Sequence, residues 1–328
     1  MPRRSSTSES PPRGEIVTTT ELIVTGATTK RRFGVRRAGR RTAPALYLFP
    51  VPALIIYIAF FVVPTLQTFQ YSITNWDGYS PNFDYVGLKN FGRAFTGDSL
   101  FTNALVNNMK FMGVVVIGQT AVALTMAVLL MRNTKTNVFL RALYFFPTIL
   151  SSVSVGFIWK FVYDPNYGVI NSILGSVGVQ GPGFLGDATA AIYWLAVTQI
   201  WFHAGMMIVI FVAGLQAIPA ELYEAAEVDG AGPWRRFTSI TWPLIAPAMS
   251  IVVAYTTIQS FKAFDVVLSI SGNPPSRALD ILSTRIYSTF ANSQFGYAAA
   301  ESVLFIIFIL VTVFVLRRFL RLIQRGES

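Results

Sequence analysis

The sequence has 328 residues, of which 53% are hydrophobic and only 13% are charged. Soluble domains usually carry about 25% charged residues, so this composition excludes an ordinary soluble protein and indicates a chain that lies largely in a membrane. The absence of cysteine excludes a disulfide, a thiolate metal site and a catalytic thiol.

The formal net charge of +10 is concentrated towards the two ends of the sequence. Ten of the 26 Lys and Arg residues precede Ala43, and four more follow Leu316. Basic clusters beside apolar segments are typical of contacts with the anionic cytoplasmic surface of a membrane. We therefore expect a lipid bilayer around the chain and no nucleic acid as a partner.

The first 44 residues are rich in Ser, Thr, Arg and Pro, a composition that predicts a disordered basic tail. A secretory signal peptide is the alternative, because a basic stretch precedes an apolar one. The apolar run over 45–66 is too long for a signal core, however, and lacks a clear small-residue cleavage site. Residues 45–328 are therefore predicted to form one membrane domain that begins with a transmembrane helix.

Six apolar runs in this domain each reach the length of about 18–20 residues that crosses the hydrocarbon of a bilayer. The polar and aromatic stretch over 71–108, between the first two runs, is predicted to be an extramembrane loop. Pro147 is expected to break the third run, because proline lacks a backbone N–H. The sequence thus predicts an all-α integral membrane protein with six transmembrane helices. Their predicted bounds are 45–66, 111–131, 142–162, 190–215, 244–270 and 297–316.

An even number of spans places both termini on one side of the membrane, and the basic residues indicate which side. The side that holds both ends, the loop 132–141 and the polar segment 219–242 carries 19 of the 26 Lys and Arg residues. Because cytoplasmic segments carry the excess of basic residues, we expect both termini, the tail 1–44 and the segment 219–242 in the cytoplasm.

The segment 219–242 is the most polar interior part of the chain, and its pattern predicts two short helices joined by an elbow. Pro219 suits the first turn of a helix. Ala225 and Ala226 leave part of that helix open to close approach by another protein. Gly230 is expected to end the helix in a turn that favours φ > 0. The pattern favours a docking element, with an ordinary polar loop as the alternative.

The run E-A-A-x3-G-x9-I-x-W-P, from Glu224 to Pro243, resembles the cytoplasmic loop of binding-protein-dependent ABC importer permeases, whose pattern is E-A-A-x3-G-x9-I-x-L-P. Trp242 replaces the usual leucine and keeps an apolar residue before the proline. Residues 214–219 and the extended form E-A-A-x-x-D-G-A resemble the sugar-transporting branch. The similarity extends from about Leu46 to the C-terminus. It fits the first of the two permease subunits in maltose-type and glycerol-phosphate-type importers.

The resemblance implies a type I ABC importer permease fold in a prokaryotic cell membrane. It implies a permease subunit that forms half of the translocation pathway for a sugar or oligosaccharide and works by alternating access. The implied partners are a second permease subunit, two ATPase subunits that bind ATP-Mg, and an extracytoplasmic sugar-binding protein. No cofactor is therefore expected in this chain. The residues implied in coupling to the ATPase are Glu224, Ala225, Ala226, Asp229 and Gly230.

Polar residues within the spans are the candidates for the substrate path, because such groups usually face the bundle interior or a water-filled path. Hydroxyl groups and aromatic rings together suit a neutral, hydroxyl-rich solute. Hydrogen bonding between helices, worth about 0.6 kcal/mol per pair, is the alternative role. By resemblance to maltose-type permeases, the predicted path residues are Thr148, Ser152, Phe202, His203, Thr256 and Ser260.

Other classes of function have less support in the sequence. No G-x-x-x-x-G-K-[ST] motif occurs, so the chain is not expected to bind ATP through a P-loop. An enzyme is not expected, because His203 is the only histidine and no carboxylate lies near it in the sequence. A secondary, ion-coupled transporter is the alternative function, but only Asp265 and Glu301 come close to an intramembrane coupling carboxylate.

Overall fold

The computed structural model describes residues 48–325, and the predicted tail over 1–44 lies outside them. All packing contacts given below lie within the compact unit Ala53–Ser328. The described part is helical, with one isolated bridge between Thr74 and Tyr85. The helices are α1 (Val51–Tyr71), α2 (Lys89–Thr96), α3 (Ser99–Leu130), α4 (Lys135–Ile149), α5 (Ser152–Val162), α6 (Val169–Ser176), α7 (Ala191–Gln216), α8 (Ala220–Val228), α9 (Pro233–Leu244), α10 (Ala246–Phe261), α11 (Phe264–Ser271), α12 (Leu282–Ala291) and α13 (Phe295–Arg325).

Four of these helices, α1, α3, α7 and α13, are long and apolar enough to cross a membrane without a break. The other candidate spans are two bent pairs: α4 and α5 meet at 98°, and α9 and α10 meet at 66°. Each bent pair has the length and composition to count as one span. The predicted all-α membrane fold is confirmed, with six spans on that count.

The predicted break at Pro147 is present. Pro147 lies in the 3-10 turn Phe146–Ile149 at the end of α4, and Leu150 and Ser151 are extended before α5 begins. Proline cannot donate the i→i−4 hydrogen bond of an α-helix, so the α-helical part of α4 gives way to the 3-10 turn here. Gly205 of α7 packs directly on the bend, since a Cβ at this position would overlap the Tyr144 carbonyl oxygen.

The prediction of one continuous helix over 244–270 is wrong. Helix α10 ends at Phe261, and α11 begins at Phe264 after a local change of backbone geometry at Lys262. Helix α11 packs on α5, where its buried Val266 and Val267 join the same apolar cluster as Val155. The break after α10 therefore lets α11 bury its apolar face against α5.

The second span also begins earlier than predicted, at Ser99 and not at residue 111. Asp98 caps this helix, because its carboxylate accepts hydrogen bonds from the backbone N–H groups of Leu100 and Phe101. Farther along, the buried Asn107 donates to backbone carbonyls of the segment 277–280. The polar residues that suggested a loop are thus helical residues with distant partners.

Helix α7 forms the centre of the bundle. Of its most apolar 18 residues, 61% are buried, compared with 28% for α13. A helix that is apolar on all sides is typical of such a position. Met207, Ile208 and Phe211 of α7 are fully buried in a cluster that also includes Val252 and Val253 of α10. The centre of the fold is therefore the packing of α7 on α3 and α10.

A buried charge network joins the beginnings of α3 and α13 to α12. The Arg285 guanidinium lies 2.8 Å from the Asp98 carboxylate and 3.5 Å from the carboxylate of the fully buried Glu301. The Tyr297 hydroxyl also donates to Asp98, at 3.0 Å. Glu301 is thus part of an ion network between helices, which weakens its candidacy as an ion-coupling carboxylate.

Candidate coupling segment and transport cavity

The segment 219–242 contains the two predicted short helices, α8 and α9, and the elbow between them. The predicted positive φ at Gly230 is confirmed, with a value of 72°. The Gly230 N–H donates to the carbonyl of Glu227 at 3.0 Å, and the Ala231 N–H donates to the carbonyl of Ala226 at 2.8 Å. This pair of bonds forms a Schellman motif, in which glycine adopts the left-handed geometry without a Cβ penalty.

Side chains of the elbow also hold the two helices together. Arg236 of α9 forms a 3.0 Å salt bridge with Glu227 of α8. The hydroxyl groups of Tyr223 and Thr241 lie 2.9 Å apart, within hydrogen-bond distance. These two contacts join α8 to α9 on either side of the elbow.

The predicted coupling residues lie together on or beside the first helix of the elbow. Four of them are exposed and Ala226 is half-buried. Two apolar side chains that were not predicted to be functional flank the elbow. Val228 has 88% of its surface exposed, and Trp234 has 76%. Their occurrence within a polar segment was the available signal. Exposed apolar groups beside small residues suit contact with another protein. The exposed predicted residues are Glu224, Ala225, Asp229 and Gly230.

A cavity of about 270 Å³ lies where the two broken spans approach α7. Its position follows from the break before α5 and the break between α10 and α11, because Ser152 and Lys262 lie in its wall. Three of the six predicted path residues line it, and amide and charged groups lie next to them. The lining residues are Leu150, Ser152, Gln199, Phe202, His203, Gln259, Lys262, Ala263, Asp265 and Val266.

Hydrogen bonds connect the cavity wall across the helices. The Ser152 hydroxyl of α5 donates to the Asp265 carboxylate of α11 at 3.1 Å. The Gln259 side-chain nitrogen of α10 lies 3.3 Å from Nε2 of His203 on α7. The cavity thus offers hydroxyl, amide, imidazole and aromatic groups, together with one ammonium and one carboxylate group.

The other three predicted path residues lie outside this lining. The Thr148 hydroxyl donates to the Phe202 carbonyl at 3.0 Å, which ties the end of α4 to α7. Thr256 and Ser260 are fully buried, and the Ser260 hydroxyl donates to the Thr256 carbonyl at 2.8 Å. The structure does not bring these three to the cavity, and their part in transport stays a prediction.

Four polar residues of the cavity wall were not among the predicted path residues: Gln199, Gln259, Lys262 and Asp265. The signal available was that each is a polar residue inside an apolar run. The break between α10 and α11 turns Lys262 and Asp265 towards the same cavity, and the sequence does not show that break.

Comparison with known proteins gives one consistent result. The family described as binding-protein-dependent transport system inner membrane component matches residues 119–326. The permease protein MsmF of the multiple sugar-binding transport system of Streptococcus mutans is 32% identical over 269 residues, which are 81% of this chain and 92% of that protein. The permease protein UgpA of the sn-glycerol-3-phosphate transport system of Agrobacterium fabrum is 31% identical over 274 residues, which are 83% of this chain and 93% of that protein.

The fold has a close counterpart among solved structures. A chain of the bacterial alginate ABC transporter, solved in complex with an alginate pentasaccharide-bound periplasmic protein, superposes with a TM-score of 0.74 at 21% identity. The superposition covers 85% of this chain and 95% of that chain. At this identity the likeness shows the fold alone, and the fold is the type I arrangement expected from the elbow motif.

Proposed function

This chain belongs to the family of binding-protein-dependent transport system inner membrane components, and we propose that it carries a neutral saccharide. As a member of the family, it is a membrane-embedded permease subunit of an ABC importer that works with a binding protein. The match leaves no support for the alternative hypothesis of an ion-coupled transporter. That hypothesis had two candidate coupling carboxylates, and one of them, Glu301, lies in a salt bridge with Arg285.

The proposal of a neutral cargo rests on the balance of positive and negative charge in the cavity. MsmF and UgpA are almost equally similar to this chain, so identity alone does not separate a sugar from a phosphate ester. The cavity holds one cationic side chain, Lys262, and one anionic side chain, Asp265. A phosphate ester would gain little from such a balanced pair. The hydroxyl and amide groups of the wall can bond sugar hydroxyls, and the ring of Phe202 can pack on the apolar face of a sugar.

We propose further that a second permease subunit completes the pathway and that two ATPase subunits dock on the elbows. ATP-Mg would be bound by those subunits and not by this chain. The connectivity of the chain supports the mechanism: α8 is bonded to α9, α9 leads through a 66° bend into α10, and α10 ends at Phe261, directly before Lys262 in the cavity wall. A rigid movement of the elbow would therefore change the cavity, as alternating access requires.

We also propose that the elbow and both termini lie in the cytoplasm, on the strength of the basic residues on that side. A single cysteine in place of Asn82, in the loop between α1 and α2, is then expected to react with a membrane-impermeant maleimide in intact cells or spheroplasts. A cysteine in place of Ser239, in α9, is expected to react only after the membrane is opened. The reverse pattern would contradict the orientation. Because the chain contains no cysteine of its own, all labelling comes from the introduced residue.

The cargo is tested by uptake of labelled solutes into cells that express the whole importer. A panel of neutral oligosaccharides, a uronate oligosaccharide and sn-glycerol 3-phosphate separates the classes. Uptake of at least one neutral oligosaccharide, with no competition from sn-glycerol 3-phosphate, is the expected result. Uptake of the phosphate ester in preference to every neutral sugar would overturn the proposal.

The Ser152→Leu variant tests whether the cavity is part of the path. Leucine adds bulk to the cavity wall and removes the hydroxyl that bonds Asp265, so uptake is expected to fall by about tenfold or more while the amount of assembled importer is unchanged. Ser154→Leu is the matched control, because Ser154 lies on the same helix and outside the lining. Equal uptake by the two variants would remove the cavity from the path.

A further inference from the structure

The cytoplasmic half of α13 has two different faces. Leu316 and Leu320 pack on the apolar cluster of α7 and α10. Leu310 and Phe314, on another face, are 64% and 69% exposed, and Arg317 continues their stripe at helical spacing. One face of the helix thus belongs to the core, and the other presents apolar side chains that lead to a cation.

A groove of about 530 Å³ lies between this stripe and α10. Its apolar wall includes Ile258 of α10 and Val313 of α13, and its lining ends in two adjacent arginines, Arg317 and Arg318. The groove therefore has the polarity of a lipid molecule, apolar along its length and cationic at one end.

The position of the arginines along α13 agrees with the depth of a headgroup. Arg317 lies 22 residues after Phe295, the first residue of the helix. At 1.5 Å per residue this is about 33 Å, close to the roughly 30 Å thickness of bilayer hydrocarbon. Phe295 near one surface of the hydrocarbon places the guanidinium groups near the other surface, where the phosphates of that leaflet lie.

We propose that this groove binds an anionic phospholipid of the cytoplasmic leaflet. One acyl chain lies along Leu310, Val313 and Phe314, and the phosphate bonds to the guanidinium groups of Arg317 and Arg318. Guanidinium groups suit phosphate oxygens because they can donate two parallel hydrogen bonds. Basic pockets between helices at the cytoplasmic surface recognise anionic headgroups in this way. The choice of leaflet rests on the orientation given under the proposed function.

Native mass spectrometry of the assembled importer, purified in detergent with equal amounts of phosphatidylglycerol and phosphatidylcholine, tests the proposal. Wild-type importer is expected to retain phosphatidylglycerol selectively. Retention is expected to fall at least tenfold in the double variant R317Q/R318Q. It is also expected to fall in Val313→Trp, which fills the groove and keeps both arginines. The double variant R132Q/K135Q removes two charges at the start of α4 and just before it, outside the groove, and is expected to retain the lipid.

Four results would overturn the proposal. They are unchanged retention in both groove variants, equal loss in R132Q/K135Q, displacement of the lipid by inorganic phosphate alone, and efficient disulfide cross-linking of a cysteine at Val313 to the second permease subunit. The last result would mean that a helix of that subunit fills the groove. Lipid retention is measured without solute or ATP, so failure of the saccharide proposal would leave this result unchanged.

Discussion

Replacing Gly230 by valine is expected to reduce ATP-driven uptake by at least about tenfold, with a normal amount of permease in the membrane. Gly230 has φ = 72°, a geometry that costs a residue with a Cβ roughly 1–2 kcal/mol and a β-branched residue more. A Cβ at this position would meet no other atom within 4 Å, so the effect comes from the backbone and not from a steric clash. The Schellman motif would open and move α9 relative to α8.

Two control variants separate the backbone effect from the change in size. Asparagine tolerates left-handed geometry, so Gly230→Asn is expected to keep most of the transport. Gly232→Val adds the same side chain two residues later, where φ is −67° and the space is open, and is expected to resemble the wild type. The measurements are co-purification of the ATPase, ATP turnover and uptake. Wild-type values of all three for Gly230→Val, or an equal defect in Gly232→Val, would contradict the role given to the elbow.

Replacing Arg285 by methionine is expected to destabilise the permease by roughly 3–5 kcal/mol, since it leaves two carboxylates without their cation in a buried place. Glu301 is fully buried, and Asp98 is only 9% exposed. Burial acts to raise the pKa of Asp98. The hydrogen bonds from the Phe101 amide, Arg285 and Tyr297, with the charge of Arg285, outweigh burial and hold that pKa below its usual value.

The lowered pKa of Asp98 fixes the direction of its pH dependence. A carboxyl group with a lower pKa in the folded state contributes stability above its unfolded pKa, and this contribution is lost as pH falls through the folded value. The destabilisation by Arg285→Met is thus expected in full at neutral pH. The effect of removing the cation on stability is measured as the change in melting temperature of the purified importer. Arg277→Met, in an exposed loop position, is the control.

A second substitution distinguishes unpaired charge from lost packing. Arg285→Met combined with Glu301→Gln is expected to recover part of the melting temperature, because one uncompensated charge is removed with it. A melting temperature for Arg285→Met equal to that of Arg277→Met would show that the network does not hold α3, α12 and α13 together. If the melting temperature does not recover in the double variant, the destabilisation by Arg285→Met is due to lost packing.

Much of the fold could be predicted because membrane helices are recognisable in a sequence by their length and apolar composition. The break at Pro147 and the positive φ at Gly230 were also predictable, since both depend on the chemistry of one residue. The early start of α3 was not, because the side-chain amide of Asn107 finds its acceptors on carbonyl groups 170 or more positions later in the chain. A polar residue with a distant partner cannot be told from a loop residue in the sequence.

The cavity was predictable only in part for the same reason. Ser152, Phe202 and His203 line it, but helical spacing alone could not show that Thr256 and Ser260 face the core. Spacing places residues on a common face and does not say what that face meets. Lys262 and Asp265 reach the cavity through a helix break that contains neither proline nor glycine, so no local signal marked it.

The central claim is that this chain forms part of an importer driven by ATP. Its most direct test is uptake of a neutral saccharide into proteoliposomes that contain both permease subunits and the ATPase, with the binding protein outside and ATP either present or absent in the lumen. The orientation with the ATPase inside is the one that imports. We expect uptake that requires both lumenal ATP and the binding protein, and that stops when ATP is replaced by a non-hydrolysable analogue. Uptake that persists without ATP and follows an imposed ion gradient would contradict this account.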